Sequence, residues 1–160
     1  MSFYSSEPSD LLFDAVRKGD VALIQELLSQ VADIDVQNGR GFTPLILATY
    51  DEHLEAAKYL IERGANVNHQ DLAGNTALMG VSFKGYPEIA QLLIANGADL
   101  NLQNGSGGTA LMFATMFGRN KIVKILVEAG ADLSIRDSRG LTALDMALSQ
   151  GNVEAIPFLR

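Results

Sequence analysis

Apolar and polar positions along this chain recur with a fixed period of 33 residues. Two leucines mark each period, one in its first half and one in its second half. They are Leu45, Leu78, Leu111 and Leu144, and then Leu60, Leu93, Leu126 and Leu159. Glycine and threonine recur at the same interval, at Gly41, Gly74, Gly107 and Gly140 and at Thr43, Thr76, Thr109 and Thr142. Because this register never slips, the chain is expected to be an array of similar structural units.

Within each unit the pattern predicts two short helices and an extended turn. Thr43 can cap a helix whose first position is Pro44, where the missing N–H of proline costs nothing. Apolar residues then follow at helical spacing. A second helix ends at Gly64, and the stretch 65–74 is too rich in Asn, Asp and Gly to continue it.

Five units follow from the register, at about 5–37, 38–70, 71–103, 104–136 and 137–160, the last one shortened. Neither helix of a unit can bury its apolar face alone, so the units must stack into an all-α repeat solenoid with a continuous core. Polar residues such as Asp145 are expected to cap its ends, and Pro157 to shorten the last helix. We expect residues 10–160 to form one domain and residues 1–9 a flexible N-terminal tail.

Composition and charge narrow the classes of partner. The chain has 160 residues and a net charge of -7. Residues 1–80 carry twelve acidic and five basic residues, whereas residues 81–160 carry seven of each, so the acidic excess lies in the first half. Proteins that bind nucleic acid or anionic membranes normally carry the opposite charge, so neither partner is expected. The acidic half is either an ordinary solvated face or a surface that steers a basic partner.

Candidate catalytic chemistry is scarce in this sequence. The chain has no cysteine and only two histidines. His53 lies at the break between two helices, where a structural role is favoured, and His69 follows in a projecting turn, where we expect it to be solvated or to contact a partner. Residues 105–110 match the G-x-G-x-x-A pattern of dinucleotide sites. No other unit carries all three glycines in this register, so the pattern is interpreted as a variant of the repeated turn. No catalytic residue, metal ligand or cofactor is predicted.

The repeated segments resemble the ankyrin repeat family. The first helices begin with TPLILA at 43–48, TALMGV at 76–81, TALMFA at 109–114 and TALDMA at 142–147, and the units end with GANVN, GADLN and GADLS. The family signature is T-P-L-H-x-A, so its histidine is missing from every unit of this chain. The resemblance implies stacked helix-turn-helix units joined by projecting β-turns, and it leaves open what replaces the hydrogen bonds of that histidine.

The resemblance also implies that a partner protein meets the projecting turns and the concave side of the first helices. Aromatic, methionine and arginine residues, which are enriched in interface centres, occupy several of the matching positions. We predict partner contacts by Arg40, Phe42, Tyr50, Asp51, Leu72, Phe83, Lys84, Met116, Phe117 and Arg139. Two questions remain open. The rings either contact a partner or partly cover the core of their own units. Glycine at position 80 either leaves a notch beside Phe83 or results from neutral drift.

The expected function is that of a non-catalytic protein-interaction module, such as a small stand-alone adaptor, inhibitor or immunity protein. The alternative is a small-ligand-binding protein or an accessory subunit of an enzyme. No secretory signal and no long apolar segment is seen in the sequence, so we expect a cytoplasmic protein without membrane contact, and we expect it to be a monomer.

Overall fold

The structure, a computed structural model, describes residues 7–160 and contains ten α-helices and no β-strand within that range. The helices alternate as the first and second members of five units. Their bounds are α1 Pro8–Lys18, α2 Val21–Leu28, α3 Pro44–Tyr50, α4 Leu54–Glu62, α5 Ala77–Lys84, α6 Pro87–Ala95, α7 Ala110–Met116, α8 Asn120–Glu128, α9 Ala143–Gln150 and α10 Ile156–Leu159. The predicted all-α repeat solenoid is therefore confirmed.

The repeated threonines start the first helices of the last four units. In each unit the threonine hydroxyl accepts a hydrogen bond from the backbone N–H three residues later, which satisfies one of the free donors at the helix start. These bonds measure 3.2 Å from Ile46 to Thr43 and 3.3 Å from Met112 to Thr109. The period in the sequence thus places the start of each helix at the same point of each unit.

Stacking of the units forms two layers of helices. The first-helix layer comprises α1, α3, α5, α7 and α9, and each of these helices contacts the next one in the layer. The second helices contact one another in the same order, and each also packs against the first helix of its own unit. Leu60, Leu93 and Leu126 lie between the layers and are fully buried. The core is consequently one continuous cluster along the array.

The connecting turns are tied to one another by a ladder of hydrogen bonds. The side chains of Asp35, Asn68 and Asn101 each accept a bond from a backbone N–H of the following unit, with N···O distances of 2.7–3.0 Å. At the turn tips, the N–H groups of Leu72, Gly105 and Ser138 donate to carbonyl oxygens of the preceding unit. The amide groups of Gln70 and Gln103 donate both to their own turn and to the next.

This ladder ties neighbouring turns together in a chain that lacks the histidine of the family signature. Every turn is fixed to its neighbour through backbone groups and through Asp, Asn and Gln side chains. Gly74 shows how closely the turns approach, because a Cβ atom at this position would lie 2.9 Å from Cα of Asn104. Its φ of 84° also favours glycine.

Both ends of the array differ from its middle. Asp145 occupies a position that is apolar in the other units, and its carboxylate accepts a hydrogen bond from the N–H of Thr142, which completes a capping box. The last helix has only four residues, as its proline predicted, although Pro157 lies in the first turn and not beyond it. At the other end α1 begins at Pro8, two residues before the expected domain boundary. Residues 1–6 of the expected flexible tail lie outside the described residues.

A second set of bonds joins the units at the breaks between paired helices. The imidazole Nε2 of His53 lies 2.8 Å from the carbonyl oxygen of Arg17, and Nε of Arg119 donates to the carbonyl of Phe83 at 3.0 Å. The structural role expected of His53 is therefore confirmed. Beside it, Glu52 adopts a left-handed conformation, with φ of 61°, at a position where the next unit has Gly85.

We expect Leu93→Ala to lower the free energy of unfolding by about 2–5 kcal/mol, because truncating a fully buried leucine removes apolar contacts and leaves a cavity. Urea unfolding followed by circular dichroism measures this loss. Gln91→Ala is the matched control, since Gln91 is exposed on the same helix. An unchanged denaturation midpoint for the leucine variant would contradict the register.

We expect Glu52→Gly to raise the free energy of unfolding by about 0.5–1 kcal/mol. A left-handed residue with a Cβ costs about 1–2 kcal/mol, and the greater chain entropy of glycine offsets part of the gain. Gly85→Ala is the reverse change at the equivalent position and should destabilise, since its Cβ would also lie 2.8 Å from Cδ of Arg119. The same unfolding assay compares them, and a less stable Glu52→Gly protein would show that the carboxylate has a structural contact.

Candidate functional site

An apolar groove opens where the first-helix layer meets the turns of the second and third units. Its volume is about 310 Å³, and polar residues of the turns, including Arg40 and Asp71, form its rim. We call it the Gly80 groove. Most of its lining is apolar and comes from α3, α5, α7 and the turn before α3: Phe42, Ile46, Leu47, Tyr50, Met79, Gly80, Phe83 and Phe113.

Gly80 creates much of the depth of this groove. The residues at the equivalent positions of the second, fourth and fifth units are Leu47, Phe113 and Met146, all of them large. A Cβ atom at Gly80 would already lie 3.3 Å from Cδ2 of Tyr50, so a longer side chain would fill the space between the rings. Gly80 has no left-handed conformation that demands glycine. The notch considered beside Phe83 is therefore present.

The three aromatic residues predicted from the register differ in exposure. Tyr50 and Phe117 are 40% and 43% exposed, whereas Phe83 is half-buried. The rings of Phe83 and Phe117 meet edge to face, with centroids 4.6 Å apart and planes at 80°. The ammonium of Lys84 lies 4.9 Å from the centre of the Tyr50 ring, a cation–π distance. Phe83 is thus partly covered by Phe117 of the following unit, and Tyr50 and Phe117 present part of their surfaces to solvent.

Two arginines at equivalent turn positions have different electrostatic surroundings. Arg139 donates from Nε and Nη2 to one carboxylate oxygen of Asp137, at 3.2 and 3.0 Å. Burial acts to raise the pKa of Asp137, but hydrogen bonds from the backbone of Leu141 and from Arg139 outweigh it, and the pKa is lowered. Arg40 has Asn38 in place of that aspartate and forms no ion pair within residues 7–160.

The structure brings together only part of the predicted contact set. Arg40, Phe42, Tyr50 and Phe83 line the Gly80 groove, and Lys84 covers its Tyr50 wall. Phe117 borders the groove through its contact with Phe83. The other four predicted residues lie elsewhere: Met116 and Arg139 line a separate cavity of about 400 Å³, Leu72 is 78% exposed at a turn tip, and Asp51 caps the end of α3.

Sequence reasoning missed some groove residues and did not predict the partial burial of one histidine. Leu47 and Phe113 line the groove, and the signal available for them was their alignment with Gly80. His69 aligns with Val36, Leu102 and Ile135, and its Nε2 is buried without a hydrogen-bond partner among the described residues. His69 is thus half-buried with its Nε2 turned away from solvent, because its ring occupies an apolar position of the repeat.

Neither a cluster of metal-binding side chains nor a membrane-spanning helix is found among the described residues. No group of three or more His, Asp or Glu side chains in residues 7–160 is placed to hold a metal ion, and no helix there is long and apolar enough to cross a membrane. In the glycine-rich turn, the N–H of Gly105 donates to the carbonyl of Ala73. This bond belongs to the ladder that joins successive turns, as interpreted from the register.

Comparisons with known proteins agree with the repeat architecture. The family model described as "Ankyrin repeats (3 copies)" matches residues 12–104 and 79–160. A similar protein is "Ankyrin repeat domain-containing protein 29" of Danio rerio, which is 41% identical over 66 residues. That match covers 40% of this chain and spans 22% of the length of the relative. Since the family matches cover most of the chain, the protein belongs to the ankyrin repeat family.

Proposed function

We propose that this protein binds another protein through the concave face formed by its first-helix layer and turn tips, and that it catalyses no reaction. The observation that carries this proposal is the pairing of an apolar groove with two exposed aromatic rings. Tyr50 forms one wall of the groove and Phe117 continues the surface beyond Phe83. Ankyrin repeats are generally protein-interaction modules, which supports the same conclusion.

The size of this face is compatible with a specific interface. A standard interface buries about 800 Å² on each partner and involves roughly 20–30 residues of each. The second to fourth units present their first helices and turns side by side and can supply that number of residues. Within such patches a few aromatic residues dominate the binding energy. Tyr50 and Phe117 have the exposure and the position for this role.

The ladder between turns supports a rigid binding face. Because every turn from Asn38 to Leu141 is bonded to its neighbour, little chain entropy remains to be lost when a partner binds. We propose a small adaptor or inhibitor that acts as a monomer in the cytoplasm and works by occupying a surface of its partner. The acidic first half would then influence the rate of encounter more than the affinity.

One observation favours a second candidate function. The Gly80 groove, at about 310 Å³, reaches the lower end of the roughly 300–1,000 Å³ range of small-molecule sites. A small-ligand-binding protein or an accessory enzyme subunit would use the groove alone. Saturable binding of a metabolite by the isolated chain would favour this candidate over the main proposal.

We expect Tyr50→Ala and Phe117→Ala each to weaken partner binding at least tenfold, because truncating a central aromatic residue typically costs about 2 kcal/mol or more. Phe83→Ala should have a similar effect through its contact with Phe117. The partner is first captured on the immobilised chain and identified, and each variant is then titrated against it by isothermal calorimetry.

Control variants separate binding from folding in this experiment. Lys58→Ala and Gln91→Ala lie on second helices and should bind normally. Each protein is also unfolded in urea. Unfolded aromatic variants would place the rings in the core of their own units, and normal binding by folded variants would exclude the concave face as the main contact.

A further inference from the structure

We infer that the Gly80 groove receives one apolar side chain from a segment of the partner protein, and that Arg40 binds a carboxylate next to that side chain. This inference rests on the proposed function and names the chemistry of the partner. The occupant is a short peptide segment in which a large aliphatic or aromatic residue lies beside Asp or Glu.

The shape of the groove fits a single anchoring side chain. A volume of about 310 Å³ lies at the lower limit for small-molecule sites and has room for one large side chain with part of the adjoining peptide. The walls are the rings of Tyr50 and Phe83 and the side chain of Leu47, and the polar groups lie on the rim. An apolar residue inserted between these walls would be removed from contact with water, which is typical of an interface hot spot.

The glycine that opens the groove is unfavourable for the helix that contains it. Gly80 lies within α5, where glycine is a poor helix former. Its backbone conformation is one that any residue adopts, and the second, fourth and fifth units have large apolar residues at this position. Helix propensity and backbone conformation therefore give no reason for glycine here. A Cβ atom would lie 3.3 Å from Cδ2 of Tyr50, but that ring is exposed and free to shift by a few tenths of an ångström, whereas an occupied groove requires the space to stay open.

The charge on the rim of the groove determines which type of residue lies next to the anchoring residue in the partner segment. The guanidinium of Arg40 has no carboxylate partner within residues 7–160, while the equivalent Arg139 is held by Asp137. The other charged group of the rim, Asp71, accepts hydrogen bonds at its Oδ1 from the N–H groups of Ala73 and Asn75, each at 2.9 Å, and its negative charge does not attract a carboxylate. Arg40 is thus the group free to bind an incoming charge.

An acidic segment is compatible with the negative charge of the whole protein. Charges on distant parts of the surface are screened beyond about 8–10 Å at physiological salt. At contact distance the geometry of the guanidinium determines whether a carboxylate binds, because arginine binds carboxylates through two parallel hydrogen bonds. Lys84, whose ammonium lies over the Tyr50 wall, adds a second positive charge at the groove.

The first test asks which peptides the protein selects. The intact chain is used to select from a phage-displayed library of random 12-residue peptides, and the enriched sequences are synthesised and titrated by fluorescence anisotropy. We expect enrichment of Leu, Ile, Phe, Tyr or Trp within two residues of Asp or Glu. A library that yields no such consensus overturns the inference.

The second test fills the groove without weakening the fold. Gly80→Leu introduces the residue found in the second unit, and it should reduce affinity for the selected peptide at least tenfold while the melting temperature rises or stays the same. Gly80→Ala should give the same change in melting temperature with a smaller loss of affinity. The melting temperature of each variant shows whether reduced binding by Gly80→Leu comes from the filled groove or from a loss of folding.

The third test reverses the charge on the rim. Arg40→Glu should lower affinity for the acidic peptide at least tenfold and should restore binding to a peptide in which Lys replaces the acidic residue. Arg63→Glu makes the same change of charge at the end of α4 and should leave both affinities unaltered. Equal effects of the two variants would mean that only net charge matters, and the contact assigned to Arg40 would be wrong.

These tests also separate the inference from the proposed function. If Gly80→Leu binds the selected peptides or the captured partner normally while Tyr50→Ala or Phe117→Ala does not, the concave face binds the partner but the groove does not receive its anchor. If no peptide or protein binds and phenylacetate shifts the NMR signals of the groove residues in a saturable way, the small-ligand candidate replaces both.

Discussion

The backbone polar groups of the turns must be satisfied, and this requirement fixes how the units stack. A turn that projects from the helices has no regular ladder of its own, so its N–H and C=O groups need partners from water, side chains or neighbouring turns. Here the side chains of Asp35, Asn68 and Asn101 each reach into the next unit. Stacking is thereby limited to one register, and the apolar faces of the helices meet in that register to form the core.

The separate roles of the turn ladder and the apolar core explain which positions repeat and which vary. Positions that cap helices, close turns or fill the space between layers have the same partners in each internal unit, so the same residue types recur. Gly80, by contrast, contributes to neither the ladder nor the buried core. The surface of the first-helix layer can therefore differ between units without any change in the fold, and the groove is one such difference.

Two residues depart from the repeat at some energetic cost. Glu52 keeps a left-handed backbone conformation where the equivalent residues are glycine, and His69 places a ring nitrogen without a partner in an apolar position. Nε2 of the half-buried His69 side chain loses contact with water and gains no hydrogen bond within residues 7–160, which is unfavourable for a polar group. Neither departure disturbs the neighbouring units, since the ladder and the core hold on both sides of them.

The sequence by itself determined the period, the helix pairs and the solenoid, because capping threonines, turn glycines and core leucines act locally and recur 33 residues apart. It also indicated the turns and the ends of the first helices as the variable surface. Only the tertiary structure decided which of those residues meet. Arg40 and Phe113 lie 73 positions apart in the chain yet line one groove, because three successive units are stacked there. Exposure was likewise decided by stacking, since a ring such as Phe83 is covered by Phe117 of the following unit and not by its own sequence neighbours.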